Sequence, residues 1–173
     1  MTGLTRSRAF GILAMRLTVG WVFLYAGIEK IFGAEPFSAL GFLKFGTIGT
    51  TAAQVAEGTV VNPTHAFWVD LAGNPTLLNI INFIVPFGQV AIGAALILGL
   101  ATRFASVMGT VMMAAFWIAG WDFAFGVIEY HSVMAIATAA LGLMAAGEVY
   151  GLDALVNDTP IVKRTPALRY VLG

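Results

Sequence analysis

The sequence predicts an all-α integral membrane protein, an antiparallel four-transmembrane-helix bundle with a long outer-side loop between helices 1 and 2. Three observations carry this prediction. Of 173 residues, 59% are hydrophobic and only 10% charged, with a mean hydropathy of +0.88, whereas a water-soluble domain carries about 25% charged residues. Four stretches have the length and apolarity needed to cross a hydrocarbon core about 30 Å thick, which takes roughly 20 residues of helix. Lys and Arg, finally, gather on one side of the spans so defined.

The first span is residues 10–32 (FGILAMRLTVGWVFLYAGIEKIF). It follows TRSR and could pass for a cleaved signal, but its apolar stretch exceeds a signal's hydrophobic region and no clean small-residue cleavage pattern follows, so it is expected to be retained. The second, third and fourth spans are 76–100, 103–121 and 129–149. The short connections among them make neighbours antiparallel. Residues 33–75 form the long loop, which contains FSALGFLKFG and HAFWVDLAGNP. These aromatic-rich pieces are too short to span and read as interfacial or partly re-entrant segments covering one mouth of the bundle. A loop of this length is functional or disordered, and its aromatic content argues against disorder. Residues 150–173 read as a tail, and the whole chain as a single membrane domain.

Orientation follows the positive residues. Arg6, Arg8, Arg103, Lys163, Arg164 and Arg169 fall on one side, and the long loop has only Lys44. Both termini are therefore expected in the cytoplasm of a prokaryotic cell, with the protein multi-pass in the plasma membrane. The zero net charge is then the sum of a basic inner side and an acidic outer side. It also argues against a nucleic-acid partner, since nothing supplies the positive footprint that phosphate recognition needs. With no cysteine in the chain, disulfides, thiolate metal sites, Cys-ligated clusters and cysteine nucleophiles are excluded.

Stepping by three and four along each span gives a packing face: Arg16, Gly20, Phe23, Gly27, Lys30; Asn82, Pro86, Gln89, Gly93; Ser106, Thr110, Met113, Trp117; and His131, Ala135, Thr138, Gly142. Small and polar residues collect there, as expected where membrane helices approach closely. The glycines are explained by packing alone. Charge on the same face is not, because ionisable groups inside a membrane are costly and have a partner or a task.

Alternating helix direction brings the end of the first span, the start of the second, the end of the third and the start of the fourth to the outer side. Lys30, Asn82, Trp117, Trp121, Asp122, Glu129, Tyr130 and His131 lie there. A Lys and a His facing the interior, carboxylates in reach and flat aromatics beside them would suit a ring-shaped acceptor of protons and electrons, such as a membrane quinone. His131 could pass protons near neutral pH and Lys30 could stabilise a developing oxyanion. Asp122 and Glu129 would handle charge, with Asn82, Trp117, Trp121 and Tyr130 as contacts and walls. The competing reading is a structural ion-pair network of Lys30 with Asp122 or Glu129. Arg16 is expected to pair with Glu148, Gln89 to hydrogen-bond across the bundle, and Arg103 to anchor the two-residue turn. No haem is expected, since bis-histidine ligation would need both His65 and His131, and no metal is expected. There is no GxGxxG after a strand, P-loop, HExxH or GxSxG.

RLTVGWVFLYAGIEKIFG, GQVAIGAALILGLATRFAS and GEVYGLDALV resemble the DoxX/DoxD family of small four-helix membrane proteins. The best markers are Arg16, Gly20, Phe23, Gly27 and Lys30, with Gly99 and Arg103 of the LGLATR turn. The resemblance implies a group that includes the membrane subunit of a thiosulfate:quinone oxidoreductase and proteins associated with terminal oxidases. Two readings follow: a quinone-binding redox subunit, or a non-catalytic accessory subunit of a respiratory complex. Both imply a lipid bilayer and other membrane subunits as partners, with homo-oligomers left open. A transporter is a weaker third, for want of an internal repeat.

Overall fold

A computed structural model of the chain describes residues 5–49, 60–121 and 128–172. All regular structure among them is helical. Helix α1 is Arg6–Phe32, α2 Leu40–Phe45, α3 His65–Gly73, α4 Pro75–Leu98, α5 Thr102–Ala119, α6 Tyr130–Leu143, α7 Leu152–Asn157 and α8 Pro160–Arg164. Three of these, α1, α4 and α5, are long and apolar enough to cross a membrane, and α6 is a shorter apolar helix.

The ends of α4 follow directly from sequence. Pro75 occupies the first turn, where its missing N–H costs nothing, and the Asn74 side chain accepts hydrogen bonds from the Thr76 and Leu77 amides at 3.0 and 3.2 Å. At the other end Gly99 takes a left-handed conformation (φ 66°), with the Leu100 amide reaching back to the Ala95 carbonyl at 3.0 Å, the ending that glycine supports best. Pro86 is accommodated inside the helix.

The helices pack as two close pairs, α1 on α4 and α5 on α6. Close approach is why glycine recurs at the first interface. A Cβ on Gly27 would lie 2.7 Å from the Pro86 carbonyl oxygen, and one on Gly93 would meet the Leu24 amide and lie 2.7 Å from the Gly20 carbonyl oxygen. In the second pair a Cβ on Gly142 would lie 2.9 Å from Ser106 Cβ. Both pairs contribute to one buried core that includes Phe23, Leu96, Met113 and Leu141.

The long loop carries α2 and α3 within the two aromatic-rich pieces. Ala39, Leu43 and Ala72 form a second small core, with Phe37, Trp68 and Ile81 against it. Asn62 ties this region to the bundle: its side-chain N–H donates to the Ile118 and Ala119 carbonyls at 3.1 and 2.8 Å, where α5 ends.

Three expectations are corrected at the opposite end. The fourth helix does not run through 129–149; it stops at Leu143, Ala145 turns left-handed (φ 48°), and Ala146–Glu148 form a 3-10 turn. Arg16 holds the segment that follows: its buried guanidinium donates to the carbonyls of Ala146, Val149 and Tyr150 at 2.7, 2.9 and 3.2 Å, groups that the end of a helix leaves without partners of their own. Glu148, the expected partner of Arg16, is exposed and accepts from Asn157 at 3.2 Å instead. Nor do residues 150–173 trail as a tail. Asp153 is fully buried, its carboxylate accepting from the Ala101 and Thr102 amides at 2.7 and 2.9 Å, and the Phe104 amide donates to Val171.

Candidate functional site

Between α4 and α5, where the two helix pairs meet, lies an apolar groove of about 860 Å³. Gly88, Ala91 and Ala95 on α4 and Ala105, Ala115 and Ala119 on α5 line it. Larger apolar side chains, among them Ile84, Phe104, Met108 and Val111, complete its walls. Phe37, Phe42, Leu43 and Trp68, from the loop region, border the groove near Lys30.

A second cavity, of about 150 Å³, is lined by Val22, Phe23, Ala26, Lys30, Gln89, Met113, Phe116, Tyr130 and His131. Lys30, Phe116 and His131 border both spaces. A small chamber with polar groups therefore adjoins a long apolar groove, with a cation and an imidazole at the junction.

The polar groups are held in different ways. Lys30 Nζ donates to the Ala26 carbonyl of its own helix at 3.2 Å and sits 5.8 Å above the centre of the Phe37 ring. Among the described residues it has no carboxylate at salt-bridge distance. His131 Nδ1 lies 3.1 Å from Glu129 Oε1, which fixes the ring and leaves Nε2 as the nitrogen available to a ligand. Phe116 meets the imidazole edge-on with ring centres 5.9 Å apart. Glu129 also caps α6 in a reciprocal arrangement with Ser132, whose hydroxyl accepts from the Glu129 amide at 2.8 Å. Gln89 is 3% exposed, and its Oε1 has no hydrogen-bond partner among the described residues.

Of the residues expected to converge, Lys30, Tyr130 and His131 line the chamber, with Glu129 attached through His131. Others are placed differently. Asn82 Oδ1 accepts from the Ala39 amide at 2.8 Å, so it holds the loop to α4. Trp117 and Trp121 stack on each other, ring centres 5.3 Å apart, rather than lining either cavity. Asp122 lies outside the described residues. Arg103 stands in the first turn of α5. Gln89, expected as a bond across the bundle, is instead a lining residue of the chamber. Phe116 is an aromatic on an apolar helix and carries no sequence signal of its own, and Met113 on the packing face reads equally well as gap filling.

Among the described residues no cluster of three or more His, Asp or Glu could hold a metal ion. What the arrangement offers is a cation, an imidazole and an amide around a small space, next to room for an apolar chain.

These features define a helical membrane protein with several spans and a small chamber that a few polar groups line. The DoxX family model matches residues 11–127, and the chain belongs to that family. No curated protein sequence and no solved structure matches it. The matched range contains Arg16, Lys30, Gln89, Arg103 and Phe116, and it ends before Glu129, His131 and Asp153.

Proposed function

We propose that this chain is the membrane subunit of a quinone-linked oxidoreductase or respiratory-chain complex and that it holds the quinone in the chamber, with the tail in the groove. One observation carries the reading: a chamber lined by Lys30, Gln89 and His131 adjoins an apolar groove of about 860 Å³ through shared wall residues. An amphipathic ligand with a polar ring and a long hydrocarbon tail matches that shape, since pockets of this kind combine an apolar body with few polar groups.

When bound, a quinone would supply the two-electron, two-proton redox chemistry, and this chain's residues would hold the ring and handle its charge and protons. Lys30 offsets negative charge developing on a ring oxygen. His131 supplies a proton from a ring nitrogen and regains one through the partly exposed Glu129–His131 pair. Phe116 forms a wall beside the imidazole. The chain has no cysteine to carry electrons itself, and in this reading they would come from a donor outside it, such as a partner subunit. In the bilayer we take α1, α4, α5 and α6 to cross, with the termini cytoplasmic and the chamber towards the outer face of a prokaryotic plasma membrane.

Organic extraction of the purified protein tests this. Wild type is expected to release about one quinone per chain, and Lys30→Ala and His131→Ala far less. If no quinone is retained and none binds when added, the proposal fails and an accessory subunit packed on a terminal oxidase becomes the better account.

A further inference from the structure

We infer that the chamber selects single-ring over fused two-ring quinones, with Gln89 as the buried group that orients the ring. The inference rests on the quinone reading and names the class of head group. Its first support is volume. The chamber measures about 150 Å³, and a cavity of roughly that size accommodates one benzene ring. Its inner walls are core residues: Phe23 is 1% and Met113 3% exposed. Tyr130, also in the lining, is 56% exposed, so the chamber is open on one side and the limit on ring size is set at this inner wall, which as close-packed core resists expansion.

The second support is direction. In a 1,4-naphthoquinone the fused ring lies on the edge opposite the carbon that bears the tail. If the tail leaves between Lys30, Phe116 and His131 into the groove, the second ring is driven inward, against Phe23, Gln89 and Met113. A 1,4-benzoquinone has nothing on that side larger than a small substituent.

The third support is Gln89 itself. Its Oε1 is buried without a partner among the described residues, and a buried acceptor left unpaired is costly. A hydroxyl of the reduced ring would satisfy it, and the amide N–H can donate to a carbonyl of the oxidised ring. One side chain thus serves both redox states without a change of protonation.

The test uses the full chain in lipid nanodiscs, titrated with 2-decyl-1,4-benzoquinone and 2-decyl-1,4-naphthoquinone, which share one tail. The benzoquinone is expected to bind at least about tenfold more tightly, the scale at which a pocket rejects added bulk. Gln89→Leu should weaken benzoquinone binding by about tenfold. Met113→Ala trims the wall that the second ring would strike and should bring the two ligands within about threefold, a gain that remains informative if Gln89→Leu fails to fold. Equal binding to wild type, or a preference that Met113→Ala leaves unchanged, would overturn this inference and leave the quinone reading standing. Binding of neither ligand would overturn both.

Discussion

Arg16 shows how a single side chain shapes the end of the bundle. Its guanidinium, 1% exposed, bonds three carbonyls from the segment after α6. Asp153, on the same segment, caps the amides that open α5. The conformation of Gly99 brings its backbone against both, since a Cβ there would lie 2.6 Å from Arg16 Nη1 and from Gly151 Cα. Arg16→Met is expected to destabilise the protein by about 3 kcal/mol, because carbonyls turned away from helix would be left buried and unpaired. Arg16→Lys recovers little of it, since one ammonium cannot reproduce the planar fork. Asp153→Ala, losing a cap, should cost about 1 to 2 kcal/mol. Thermal unfolding in detergent, followed by circular dichroism, measures all three. Arg16 was visible in sequence as a charge inside an apolar span. Its partners were not, because backbone carbonyls carry no sequence signature and the obvious opposite charge, Glu148, lay nearby. Asp153 was hidden for a related reason: it caps a helix some fifty positions away in the chain, which no local pattern displays.

At the level of elements, the three long helices were written plainly in hydropathy and in their ends. Asn74, Pro75 and Gly99 mark the bounds of α4 in the residue types that end helices most cheaply. The fourth element was overextended because the apolar run continues past Leu143, where the helix ends. At 14 residues, α6 is about 21 Å long, shorter than the hydrocarbon core. Yet one end of α6 lies beside Lys30 at the chamber, and the segment after it reaches Arg16. We therefore expect α6 and its 3-10 extension to cross the membrane. The absence of native cysteine makes this easy to check with Lys44→Cys and Lys163→Cys, both on exposed residues. An impermeant maleimide applied to intact cells should label Lys44→Cys, and should label Lys163→Cys only after permeabilisation. Labelling of both from outside would mean that α6 does not cross.

For the whole molecule, the arrangement of two helix pairs explains why a site exists. Glycines close the α1–α4 and α5–α6 interfaces, while the face between α4 and α5 is left open along small residues. The polar layer was legible in sequence as a coincidence of Lys30, Glu129, Tyr130 and His131 at one end. The groove was not, because small residues on an apolar helix look the same whether they touch a neighbour or leave a space. Nor was the inward role of Gln89, since an amide in a span most simply bonds another helix. The central claim is that the chamber holds the ring of a quinone, and photolabelling tests it most directly. A decyl-1,4-benzoquinone carrying a diazirine beside the ring would be irradiated with the purified protein and the adducts located by peptide mass spectrometry. The account predicts labelling of Val22, Gln89, Met113 or Phe116, suppressed by excess unlabelled quinone and lost in Lys30→Ala. Adducts confined to exposed residues such as Trp21 and Tyr25, insensitive to competitor, would contradict it.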